Sequence, residues 1–170
     1  MPSNIVLIGF MGAGKTVLAR HLSARLKRKV ISTDEQIIER EQKSIEDIFR
    51  EDGEPYFREI EKAVVQEAAQ KHNVIIDCGG GVILDPANIS ALKKTGVIFY
   101  LSATPSEIYR RIKDQTHRPL LHVDDPLRQI EDLLKQRACF YAQADHAIST
   151  DGKSPQMVCQ DIIDVMNVSA

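Results

Sequence analysis

Apolar and polar positions along this chain switch repeatedly between a strand-like and a helix-like period. Asn4-Ile-Val-Leu-Ile8 is a short apolar run that reads as a buried strand. From Val17 to Arg28, Leu18, Leu22 and Leu26 recur at helical spacing. Strands are predicted near 4–9, 29–32, 73–78, 97–101 and 146–150, with amphipathic helices between them. Several helices carry start signals. Asp85-Pro86, Thr104-Pro105-Ser106-Glu107, Asp125-Pro126 and Ser154-Pro155 each set a capping side chain before a proline at the first helical position. Lys93-Lys94 ahead of Gly96 closes one helix with the expected charge and glycine. Such βα alternation with short connections predicts an α/β fold: a parallel sheet covered by helices on both faces, in three layers.

Two stretches exceed a minimal βα alternation. Residues of about 33–61 are mostly helical in pattern and richly charged, with Ser44 placed to cap a short helix carrying Ile45, Ile48 and Phe49. Residues of about 112–125 are polar at both ends around Pro119, with Leu120 and Leu121 able to anchor them. A loop of that length in a compact domain is often a functional lid.

At 170 residues the chain fits one domain, 1–170, with a proper core. A net charge of −2, no Trp and 5% aromatic residues exclude a nucleic-acid-binding surface of the usual basic, stacking kind. No apolar run approaches the roughly 20 residues of a membrane span. The first strand starts almost at the N-terminus, which leaves no room for a signal peptide. Cys78, Cys139 and Cys159 show neither metal-ligand spacing nor a disulfide framework. A cytoplasmic protein with reduced thiols is expected, and a monomer, because no helix is apolar all round.

The chemistry begins at Gly9-Phe10-Met11-Gly12-Ala13-Gly14-Lys15-Thr16, which fits the phosphate-binding pattern G-x-x-x-x-G-K-[ST] and lies between a strand and a helix. Backbone N–H groups of Gly12, Ala13 and Gly14 can converge on a phosphate, helped by the positive end of the following helix. Lys15 can reach the β- and γ-phosphates of a nucleotide, and the Thr16 hydroxyl can ligate Mg²⁺, which fits hydrolases, switches and kinases alike. Gly79-Gly80-Gly81 follows the apolar run Val74-Ile75-Ile76, at the edge where open α/β sheets bind ligands, and its glycines allow backbone to approach a small molecule. Leu127, Ile130, Leu134, Arg137 and Tyr141 fall on one helix face. A guanidinium on that stripe needs an anionic partner, a substrate carboxylate bound bidentately or an internal ion pair, unless it snorkels to water. Arg58 and Glu61 can meet at three-residue spacing, so Glu61 could hold Arg58 for a ligand.

Taken in order, Gly9–Thr16, Ser32-Thr33-Asp34, Phe57-Arg58-x-x-Glu61, Gly79-Gly80-Gly81, Arg118-Pro119-Leu120-Leu121 and Arg137-x-x-x-Tyr141 make the chain resemble the shikimate kinases over nearly its whole length. The resemblance implies transfer of the γ-phosphoryl of ATP to the 3-hydroxyl of shikimate, with Mg²⁺, in the pathway to aromatic amino acids. It implies a five-stranded parallel sheet of order 2-3-1-4-5, a helical substrate-binding insertion and a mobile lid. By the same resemblance Asp34 binds the shikimate hydroxyls and aligns, or deprotonates, the attacking one. Arg58 and Arg137 hold the carboxylate, and Gly79, Gly80 and Gly81 line that pocket. Arg118 on the lid reaches the transferring phosphoryl. Arg110 stacks on adenine, a place Arg111 could also take, and Lys153 contacts the base from the other side.

One position departs from the family pattern of Asp-x-Asp after the second strand, where the first aspartate helps hold Mg²⁺. Here Ser32 stands there, a neutral and poorer partner for a hard cation. The third strand ends in Asp77 and should neighbour the first, so Asp77 is expected to take over the magnesium role beside Thr16. The alternative is that Asp77 caps local backbone. Two further functions compete with the first: a related small-molecule kinase acting on another hydroxy acid such as gluconate, and a non-catalytic ATP-binding regulator.

Overall fold

The computed structural model describes residues 3–114 and 123–168. Strand β1 (Asn4–Gly9) leads through the phosphate loop into α1 (Lys15–Leu26), then β2 (Val30–Ser32). Three helices follow: α2 (Thr33–Glu41), α3 (Ile45–Glu51) and α4 (Glu54–Ala69). Next come β3 (Ile75–Asp77), a 3-10 turn (Val82–Leu84), α5 (Pro86–Lys93) and β4 (Gly96–Ser102). The chain ends with α6 (Pro105–Ile112), α7 (Pro126–Tyr141), β5 (His146–Ser149) and α8 (Pro155–Val168).

The sheet has five strands in the order β2-β3-β1-β4-β5, and every neighbouring pair is parallel. Strands buried on both faces cannot alternate with polar residues, which is why β1 runs apolar from Ile5 to Ile8; the buried Asn4 at its start donates to the Lys71 carbonyl and accepts the Val74 N–H. Its Val6 and Ile8 face a core shared with Val65, Ala68 and Leu92, while Ile5 and Leu7 face one shared with Leu18, Leu22 and Ile162. Two smaller clusters position the site. Ile37, Ile48, Phe57 and Val64 unite α2, α3 and α4. Phe10 of the phosphate loop packs with Ile108, Ile112 and Ile130, tying α6 and α7 to that loop.

The caps work largely as the local pattern requires. Ser44, Asp85 and Asp125 each accept a backbone N–H at the start of α3, α5 and α7. At α6 Thr104 Oγ1 accepts from the Glu107 N–H, but the Glu107 carboxylate does not reach back. Asp151 accepts from the Thr104 N–H instead, and Glu107 is left to bind Arg110 and Arg111. Helix α1 starts at Lys15, two residues before its periodic pattern, because Gly14 adopts a left-handed φ of 92° and caps it directly.

Candidate active site

The phosphate loop lies at the C-terminal edge of the sheet, with Gly12 (φ 77°) and Gly14 (φ 92°) in left-handed conformations. No side chain caps α1 and no acidic residue occupies its first turn, so its leading N–H groups face outward as an anion cradle. Lys15 Nζ donates to the carbonyls of Gly9 (2.9 Å) and Phe10 (3.2 Å), which lays the ammonium across the loop. Thr16 Oγ1 donates to Asp77 Oδ2 at 2.7 Å. Asp77 is buried; that burial pushes its carboxyl above the usual range, against the opposing pull of Thr16 and Lys15. Ser32 pairs with Asp77 across β2 and β3, but its hydroxyl accepts from the Glu35 N–H as the N-cap of α2.

This donor set suits Mg²⁺. Among the described residues no group of three or more His, Cys, Asp or Glu converges as a protein cage. A hydroxyl and a carboxylate beside a phosphate cradle are what magnesium needs, since it keeps several waters and completes its shell with phosphate oxygens.

Beyond the loop, a cavity of about 620 Å³ brings Lys15, Thr16, Asp77, Asp34, Gly80 and Arg137 together. Asp34 stands in the first turn of α2. Its neighbour Thr33 is buried and accepts the Gly79 N–H at 2.8 Å, which ties α2 to the loop after β3. Arg137 crosses from α7, donates to the Gly80 carbonyl at 3.4 Å and lies 5.6 Å from the centre of the Phe10 ring. Four residues on, burial pushes the Tyr141 hydroxyl up to about 12, against the charge of Arg137. Arg58 and Gly81 sit beside this cavity rather than in its lining. Arg58 Nη1 donates to Glu61 Oε2 at 2.8 Å, and Nε and Nη2 donate to Glu54. Glu61 is only 2% exposed, so the pair is not a surface ion pair. Burial drives the Glu61 carboxyl upward in pKa, and Arg58 pulls it back. The guanidinium also lies over Phe57 (5.2 Å) and Phe49 (6.0 Å).

A second cavity, of about 490 Å³, continues from the phosphate loop past Gly14 and Val17 to Arg110, Lys153 and Pro155. Arg110 and Arg111 separate clearly there. Arg110 is 67% exposed and forms a double hydrogen bond with Glu107. Arg111 is half-buried; it donates to the Gly12 carbonyl and to Thr150 Oγ1 and O, joining the phosphate loop to the loop after β5. Hydrogen bonds from Arg110 and Arg111 hold the Glu107 carboxyl down to about 2. Lys153 Nζ pairs with Asp161 at 2.7 Å.

The family model for shikimate kinase matches residues 11–167. The chain belongs to the shikimate kinase family. It is 43% identical over 162 residues to the shikimate kinase of Caldicellulosiruptor saccharolyticus, covering 95% of this chain and 94% of that one. It is likewise 43% identical over 160 residues to the enzyme of Pelotomaculum thermopropionicum, covering 94% and 93%. The structure of the Acinetobacter baumannii shikimate kinase in complex with shikimate superposes with a TM-score of 0.92 at 32% identity, over 99% of this chain and 95% of that one.

The order 2-3-1-4-5 expected from the resemblance is the order observed, and the kinase class stands with it. Arg118 and the centre of the 112–125 stretch lie outside the described residues. Sequence reasoning overlooked Thr33, Thr150 and the phosphate-loop contact of Arg111. The four-residue spacing of Glu107 and Arg111 on one helix face was the available signal for the last. No local pattern marks Thr33 or Thr150, which act through segments distant in sequence.

Proposed function

We propose that the protein transfers the γ-phosphoryl group of ATP to the 3-hydroxyl of shikimate, giving shikimate 3-phosphate and ADP. The observation that supports this reading best is one cavity shared by the phosphate loop, the Asp34 carboxylate and the Arg137 guanidinium. A phosphoryl acceptor that is itself an acid needs that combination: a base or aligning carboxylate at one end and a cation for its own carboxylate at the other.

In this account the N–H groups of Gly12, Ala13 and Gly14 hold the β- and γ-phosphates, with Lys15 turning from the loop carbonyls onto them. Thr16 and Asp77 hold the magnesium ion that comes with ATP, Asp77 supplying the charge that Ser32 lacks. When bound there, the ion spreads the negative charge of the β- and γ-phosphates. Arg58 and Arg137 orient shikimate by its carboxylate, and the backbone around Gly80 lines its ring. Asp34 aligns the 3-hydroxyl and takes its proton as that oxygen bonds to phosphorus. The bond from phosphorus to the bridging oxygen breaks, and the electron pair leaves with ADP. Arg118 meets the transferring phosphoryl from the 112–125 lid, whose closure keeps out competing water. Residues 33–61 form the acceptor-binding element of the single domain 1–170. Adenine lies in the second cavity against Arg110, with Lys153 on the far side and Arg111 fixing the wall between base and phosphates. We take the enzyme to be a cytoplasmic monomer with no nucleic-acid or membrane partner. No helix among the described residues is long and apolar enough to cross a membrane.

ADP release from Mg²⁺-ATP, measured with shikimate, with gluconate and with no acceptor, tests the proposal. Selective stimulation by shikimate is expected. Stimulation by gluconate alone would move the acceptor assignment, and nucleotide binding without any stimulated release would remove the catalytic one.

A further inference from the structure

Gly79-Gly80-Gly81 invites the view that glycine lets backbone approach the ligand, or lets the chain take a conformation closed to other residues. The second reason does not hold here. Left-handed φ angles occur at other glycines, such as Gly12 and Gly14, whereas none of these three has one, and Gly81 sits at φ −97°, ψ −5°. That is the bridge region, which residues with side chains occupy at the third position of type I turns, so it does not call for glycine.

What a side chain would meet is different at each position. A Cβ on Gly79 would lie inside contact distance of Asp34 Oδ1 and 3.2 Å from its Cγ. A Cβ on Gly81 would overlap Arg58 Nη1 and come within 2.8 Å of both Cζ and Nη2. A Cβ on Gly80 would meet nothing within 4 Å. The outer two glycines are therefore filled by the two side chains that the reading above assigns to the acceptor, and only the middle one faces open space.

We infer that Gly79 and Gly81 are positioning residues that act through Asp34 and Arg58: their missing side chains set where the carboxylate and the guanidinium stand relative to one another. The inference rests on the proposed reaction for its functional meaning. The Thr33–Gly79 hydrogen bond anchors the first turn of α2 against this loop, so Asp34 has little room to retreat with its helix. On the other side the buried Glu61 grips Arg58, so moving the guanidinium aside breaks or bends that pair. The obstructed atoms are the ends of side chains rather than backbone, so a methyl group at either position displaces function while leaving the fold standing.

The two glycines should fail in different kinetic terms. In Gly79→Ala the Asp34 carboxylate must give way by roughly 1 Å, and kcat should fall about 100-fold, since misplacement on that scale costs about that much. In Gly81→Ala the KM for shikimate should rise about ten- to hundredfold through loss of charged hydrogen bonds to its carboxylate. The KM for ATP and the unfolding midpoint should hardly move in either variant. Shikimate affinity by calorimetry then separates clearance from direct ligand contact. Gly79→Ala should add little to Asp34→Ala, and Gly81→Ala little to Arg58→Ala, because each pair acts as one unit. Additive losses in both cycles, or wild-type kinetics in both alanine variants, would overturn the inference. Crystal structures of the two variants read the displacement whatever the acceptor proves to be. Asp34 and Arg58 found unmoved would refute it even if shikimate turnover is confirmed, and found displaced would uphold it even if the acceptor is another acid.

Discussion

Neutralising Asp77 separates the cost of its buried charge from its use. In Asp77→Asn the side-chain oxygen still accepts the 2.7 Å hydrogen bond from Thr16, so the local geometry survives. What disappears is a carboxylate whose burial raises its folded pKa. The sign follows from that direction. A raised folded pKa means that the stability tied to this group is present in acid, below the unfolded value, and is lost as pH climbs through the folded value. At neutral pH the ionised Asp77 therefore costs stability, and Asp77→Asn should unfold at the same temperature as wild type or higher in metal-free buffer. The difference should shrink as pH falls. Asp77→Ala, which takes away the acceptor of Thr16, should lose about 1–2 kcal/mol, or about 2–8 °C for a chain of this size. Both variants should need about 10- to 100-fold more Mg²⁺ for half-maximal turnover, the usual cost of losing a carboxylate in or behind a metal's shell. Calorimetry of ADP with and without Mg²⁺ gives the same answer without turnover: the metal should tighten ADP in wild type and hardly at all in Asp77→Asn. Adding Ser32→Asp should restore part of the effect. A Mg²⁺ response in Asp77→Asn equal to wild type, in both assays, would refute the assignment and leave Asp77 as a partner of Thr16 only.

Other outcomes follow from the same geometry. Glu61→Gln should raise the KM for shikimate about tenfold through the weakened grip on Arg58, with kcat little changed. In wild type that KM should also rise on acidification, because Glu61 protonates above the ordinary carboxylate range; the Gln variant should be flat over the same window. Arg111→Lys should weaken ADP binding about tenfold by unlinking Gly12 from Thr150, whereas Arg110→Lys should cost less because Arg110 is held only at the exposed edge; equal effects in calorimetry would contradict this. Phe10→Ala should cost about 3–5 kcal/mol, read as a lower denaturant midpoint, since Phe10 is 1% exposed at the centre of the cluster binding α6 and α7 to the phosphate loop.

By itself the sequence determined the alternation of strands and helices and the phosphate loop. Those properties are written in short windows: strands buried on both faces must be apolar runs, helix starts need capping side chains, and an anion cradle needs small residues followed by Lys15 and Thr16. Family motifs carried the ATP-using class, the sheet order and the acceptor. Packing between distant segments was beyond the reach of local pattern. Thr16 and Asp77 are 61 residues apart and meet only because β3 lies beside β1 in the sheet. Arg58 and Glu61 could be paired from their spacing, but nothing in that spacing shows that Glu61 is buried, which is decided by the tertiary packing around α4. Arg110 and Arg111 are chemically identical neighbours, and only the arrival of Thr150 beside Gly12 gives one of them an interior role. Gly79 and Gly81 show the limit most directly. A glycine records that a side chain is missing, and only the tertiary structure shows which neighbour occupies the space.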